Sequence, residues 1–136
     1  MTKLIVDTGP LVALIDRRDQ FHAWARDFFE TVNAPIFSCE PVLTEACFIL
    51  RQVGGHDAIL ALSARRILLT EVRVIGEVGA VRGLMQRFAD VPMSLADACL
   101  VRMTELEADS AVVTIDSDFT VYRRHRRQVI PTIMPV

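Results

Sequence analysis

Short runs of β-branched and apolar residues alternate along this chain with longer stretches of helical periodicity, and few folds accommodate that alternation. Residues 3 to 6 (KLIV) read as a buried strand that ends at Asp7 and the turn Thr8-Gly9-Pro10. Phe21, Trp24, Ala25, Phe28, Phe29 and Val32 then recur at helical spacing, with Asp19 placed to cap the start. PIFSC (35 to 39) is a second strand, and PVLTEACFILRQV a helix opened by Pro41 and closed by Gly54-Gly55. A helix from about 57 to 69, a strand over 71 to 76 and a helix over 77 to 89 follow. Ser94 opens a further helix through about Glu107, SAVVTID (110 to 116) is a buried strand, and QVIPTIMPV is a last one that Pro131 directs to a sheet edge. Strands separated by helices imply a mostly parallel sheet covered on both faces, so the expected fold is a three-layer α/β/α sandwich in one domain, residues 1–136.

Composition narrows the classes. With 136 residues, 51% of them hydrophobic, the chain can bury a core of its own. The apolar N-terminal stretch is broken by Asp7, Gly9, Pro10 and Asp16, too soon for a membrane span. Three cysteines, Cys39, Cys47 and Cys99, lie in apolar runs without metal spacing, which suits reduced thiols and a cytoplasmic location. A net charge of −2 gives no global basic field, but Arg123, Arg124, His125, Arg126 and Arg127 form a local basic run.

Chemistry is carried by acids in apolar settings. Asp7 and Asp116 each end a strand and should project from its carboxyl edge, where open α/β folds bind ligands. Either residue alone is equally well a turn cap. Glu45 has Val42, Phe48 and Ile49 at i−3, i+3 and i+4, so it falls in an apolar stripe with no arginine at helical spacing; a first-turn glutamate favoured by the helix dipole is the plainer reading. Asp97 in Ser94-Leu95-Ala96-Asp97 fits a loose capping box, yet it heads a stripe with Leu100 and Val101 and should point inward. Four such acids brought together without counter-charge would repel one another and titrate upward. A hard divalent cation, Mg²⁺ or Mn²⁺, relieves that, and no histidine or cysteine set suits zinc.

In order and wording the motifs resemble PIN-domain ribonucleases, specifically VapC-like toxins of toxin-antitoxin modules. DTGPLVAL carries Asp7 and Thr8, LTEACFIL carries Glu45, SLADACLV carries Asp97, and VVTIDSDF carries Thr114, Asp116 and Asp118. The resemblance implies a Mg²⁺-dependent endoribonuclease acting on single-stranded or looped RNA, a homodimer, and inhibition by a small VapB-like antitoxin. Carried over position by position, it makes Asp7, Glu45, Asp97 and Asp116 the catalytic and metal-binding acids, with Thr8, Thr114 and Asp118 as secondary candidates. VYRRHRRQVIP is similar to a run that in some members has a glycine near Arg126. A PIN-like protein that binds RNA or antitoxin without cutting is the alternative. Phosphatases and receiver domains with a strand-end aspartate need a later lysine, and Lys3 is the only lysine here.

Overall fold

The computed structural model describes all residues, 1–136. Five parallel strands form the central sheet in the order β3-β2-β1-β4-β7: β1 (Lys3–Val6), β2 (Ile36–Cys39), β3 (Leu68–Val72), β4 (Ser110–Val113) and the edge strand β7 (Thr132–Ile133). A two-residue antiparallel hairpin, β5 (Arg123–Arg124) with β6 (Gln128–Val129), stands apart from it. Six α-helices flank the sheet: α1 (Thr8–Ile15), α2 (His22–Glu30), α3 (Glu40–Leu50), α4 (His56–Ala64), α5 (Val78–Arg87) and α6 (Leu95–Leu106). This is the expected α/β/α arrangement.

Connectivity places the site. From β1 the chain steps outward to β2 and β3, then crosses back to lay β4 on the other side of β1. With right-handed crossovers that reversal sends the later helices to the opposite face and opens a crevice at the carboxyl ends of β1 and β4. Register sharpens it: Val6 pairs with Val113, and the Asp7 amide donates to the Val113 carbonyl at 2.9 Å. Asp7 and Thr114 therefore leave the sheet at the same level.

Helix α6 is buried nearly all round, through Ala96, Ala98, Cys99, Leu100, Val101, Met103 and Thr104. A helix buried over most of its circumference belongs in the interior, and its position is correspondingly fixed. Its neighbours include α5, α3 and strands β1, β2 and β4. Beyond it, Tyr122 and Phe119 are fully buried, ring edge to ring face with centroids 5.2 Å apart.

Three local expectations shift. Thr8-Gly9-Pro10 is not a free turn but the first turn of α1, where a proline is tolerated because those amides have no helical partner anyway. Asp7 is the cap of that helix, its Oδ1 accepting from the Thr8 amide at 2.8 Å. The third strand runs over 68–72 instead of 71–76, since Val74–Glu77 turns into a short 3₁₀ segment. In the basic run, His125 and Arg126 hold positive φ (47° and 71°) at the hairpin tip, a left-handed conformation that glycine adopts at less cost. Gly54, at φ 69°, ends the α3 segment as the sequence implies.

Candidate metal centre at the carboxyl edge

Asp7, Asp97 and Asp116 converge: one carboxylate oxygen from each lies within 4.8 Å of the others. They come from the end of β1, the first turn of α6 and the loop after β4. Asp7 is 6% exposed, Asp97 half-buried and Asp116 exposed, so the cluster grades from interior to solvent. No lysine or arginine pairs with any of them.

Hydrogen bonds fix the cluster from behind. Thr114 Oγ1 donates to Asp7 Oδ2 at 2.7 Å and accepts from the Asp116 amide at 2.9 Å, tying two acids through one buried hydroxyl. Asp116 Oδ1 accepts from the Asp118 amide at 2.9 Å, which leaves Asp118 as a backbone support beside the cluster. Ser94 Oγ caps α6 by accepting from the Asp97 amide at 3.0 Å. The Asp97 carboxylate itself is not used for capping; its Oδ2 accepts from the Tyr122 hydroxyl at 2.7 Å. Capping and cluster geometry thus use different atoms of one residue.

Electrostatics reflect the crowding. Burial pushes the Asp7 carboxyl up to about 6, against the pull of its Thr114 and Thr8 hydrogen bonds and with help from the Asp97 and Asp116 charges. Burial also raises Asp97 above the usual carboxylate range, with the charges of Asp116 and Glu45 adding to it and the Tyr122 bond opposing. Three carboxylate oxygens in one small volume with no cationic partner, two of them on buried or half-buried acids, are the donor set of a hard divalent cation. The residues present fit such an ion.

Glu45 is placed differently from the expectation. The buried face of α3 is Val42, Ala46 and Leu50, whereas Glu45 is exposed beside Phe48 (62% exposed) and Ile49 (53%). The apolar stripe containing it is the outer one, so no desolvation forces it to find a cation. It still faces the site: Thr8 Oγ1 donates to Glu45 Oε1 at 3.0 Å, and Glu45 lines the same cleft of about 590 Å³ as the three aspartates. Thr8 is thereby the link between the α1 start and α3.

The basic run is divided. Arg123 donates to the carbonyls of Thr120, Val121 and Tyr122, and Arg124 to those of Thr104 and Ala108, so both guanidinium groups tie down backbone. Only His125, Arg126 and Arg127 are exposed, beside the C-terminal end of α6, opposite Asp97.

Tyr122 was not legible in the sequence, whereas the Ser94 cap is the bond that the capping-box pattern implies. Tyr122 is the only tyrosine, set among arginines, and no local pattern relates position 122 to position 97. Tyr122→Phe should keep the ring contacts with Phe88 and Phe119 while removing the donor to Asp97. Loss of such an orienting bond is expected to weaken Mn²⁺ binding about 10- to 100-fold, measurable by calorimetry. Unchanged affinity would reduce Tyr122 to a packing residue.

A family model for the PIN domain matches residues 4–124, a span that includes all four acids and Tyr122. A comparison with curated proteins finds no significant match. Among solved structures the chain is similar to VapC20 of Mycobacterium tuberculosis, a toxin that cleaves the sarcin-ricin loop. The TM-score is 0.72 at 24% identity, over 88% of this chain and 94% of that one. With an acidic crevice at the β1–β4 reversal and a family match over most of its length, the chain belongs to the PIN domain family.

Proposed function

We propose that this chain is a metal-dependent endoribonuclease, a single nuclease domain acting as the toxin of a toxin-antitoxin module. The observation that carries the reading is the convergence of Asp7, Asp97 and Asp116 without a cationic partner, in a member of this family. Those three would hold Mg²⁺, or Mn²⁺ in its place, with Glu45 bordering the cleft as the fourth acid. When bound, the cation supplies Lewis acidity toward a phosphodiester and an attacking water. The protein's own part is positional. Thr114 keeps Asp7 and Asp116 at a fixed separation, Tyr122 and Ser94 fix Asp97, and Thr8 holds Glu45 at the rim. Asp118 steadies Asp116 through its amide.

RNA is the proposed substrate, in single-stranded or looped form, where the backbone is accessible to a shallow cleft. The family resemblance and the substrate of VapC20 support this. Lys3, the one lysine, sits at the far end of β1 from Asp7 and pairs with Glu71 at 2.6 Å, so a phosphoryl-aspartate chemistry has no lysine to draw on. A small VapB-like antitoxin and a second copy of the chain are the proposed protein partners. Exposed Phe48 and Ile49 on α3, Val53 in the segment after it and Leu60 on α4 give this side of the chain apolar side chains suited to such contacts. The cytoplasm is the proposed location; no helix is long and apolar enough to cross a membrane.

The deciding experiment is cleavage of single-stranded and stem-loop RNA by the purified chain with Mg²⁺ or Mn²⁺, and with excess chelator. Cleavage that chelator abolishes and added metal restores is the expected result. Intact metal binding with no cleavage of any RNA would assign the chain instead to the non-cutting members, as a binder of RNA or antitoxin.

A further inference from the structure

Beside the acidic cleft lies a second cavity of about 560 Å³, between the first turns of α3 and α6 and the segment after β3. Glu45 and Ser94 line both, so the two spaces adjoin. Its walls are Val72, Val74, Ile75 and Leu95, of which Ile75 is 74% exposed and Leu95 42%. Arg73 also lines it, exposed and without an ion pair, even though Glu40 and Glu45 border the same cavity. Across the two adjoining clefts Arg73 is the one cationic side chain.

That composition is selective. A polyanion approaching the seven carboxylates that line these clefts meets repulsion everywhere except at the cation site and at Arg73, whose planar fork suits a phosphate. The apolar walls suit the flat face of a base, and the Glu40 carboxylate can accept from an exocyclic amino group. The volume falls in the range of small-ligand pockets, which run from about 300 to about 1,000 Å³.

We propose that this cavity is the subsite for a nucleotide adjoining the scissile bond, its base against Val72, Val74 and Leu95 and its phosphate on Arg73. The proposal rests on the RNA-cleavage reading above for its substrate class. A base splayed into this cavity while the next phosphate reaches the aspartates would set the cutting position, making these residues determinants of specificity.

Two exposed positions test it. Arg73→Gln removes the cation, and Thr44→Trp fills the cavity from the exposed side of α3. Both are made in the parent carrying Asp7→Asn, and binding of a short, fluorescein-labelled, mixed-sequence single-stranded RNA is followed by anisotropy in Mg²⁺. Arg73→Gln is expected to weaken binding about 10-fold, the low end for a charged hydrogen bond, and to lower the salt slope by about one. Thr44→Trp should weaken binding to a similar extent. Equal affinity of both variants and the parent overturns the subsite. So does a change in mass by light scattering with RNA affinity unchanged, which would give the cavity to a second copy of the chain. The cleavage reading fails separately. If the unsubstituted chain cuts RNA and Arg73→Gln keeps its KM, the subsite is wrong and the nuclease stands. If the unsubstituted chain never cuts but Arg73→Gln loses RNA affinity, the cavity still binds a nucleotide, while its place beside a scissile bond falls with the cleavage reading.

Discussion

Asparagine in place of Asp7 is expected to lower metal-dependent RNA cleavage about a thousandfold and yet leave the metal-free chain more stable than the parent near neutral pH. The activity loss follows because a cation's contribution to stabilising phosphoryl charge is several kcal/mol, and each ~1.4 kcal/mol is tenfold in rate. Stability moves the other way. Asp7 is 6% exposed, its carboxyl is pushed up to about 6 by burial, and the folded chain must ionise it at neutral pH with two more carboxylates within 4.8 Å. A neutral isostere removes that cost. The gain is trimmed because Thr114 Oγ1 and the Thr8 amide both donate to the carboxylate, and an amide accepts from only one of them. Asp97→Asn should follow the same pattern. Glu45→Gln should cost less activity, since Glu45 is exposed and outside the three-oxygen cluster. Initial rates on one RNA substrate, with melting curves in chelator, measure both effects. Full activity in Asp7→Asn would remove the cluster from the reaction.

What the sequence made legible was whatever local pattern encodes. Strand-helix alternation gave the layers, and Asp7 and Asp116 at the ends of apolar runs placed two acids on one edge without knowledge of strand order. The register that sets Val6 opposite Val113, and so makes Thr114 a bridge, depends on long-range pairing that only the family motif hinted at. Helix α1 was hidden because Thr8-Gly9-Pro10 carries turn chemistry and the rest, LVALI, is apolar throughout without a 3.6-residue period. Glu45 was put on the wrong face because α3 has apolar residues on two sides, and a stripe of Val42, Phe48 and Ile49 is as regular as the buried one of Val42, Ala46 and Leu50. Only packing against the sheet and the neighbouring helices decides between them. Tyr122 lies 25 residues from the acid it holds, and nothing within one helix or strand couples the two.

The metal-free chain should lose stability as pH rises from about 4 to about 6, the reverse of the usual trend for a carboxylate held in an ion pair. Unfolded, Asp7 titrates near 3.8; folded, near 6. Between those values the folded state holds the extra proton, so each step up in pH favours the unfolded chain. A rise of about two units at ~1.4 kcal/mol each gives about 3 kcal/mol across the window, after which the curve flattens. Asp97, raised for the same first reason of burial, steepens the fall. A divalent cation binds the deprotonated cluster and should reverse this. At pH 7.5, Mn²⁺ at a hundred times its Kd adds about 2.7 kcal/mol of stability, while at pH 5 protons compete for the same oxygens and the gain shrinks. Denaturant melts at pH 4, 5, 6 and 7.5, in chelator and in Mn²⁺, separate the two curves. The Asp7→Asn chain lacks the main titrating group, so its chelator curve should be markedly flatter over the same window. If parent and Asp7→Asn fall together, the stability loss belongs to other acids, and Asp7 is not the strained carboxylate that draws a cation to this edge of the sheet.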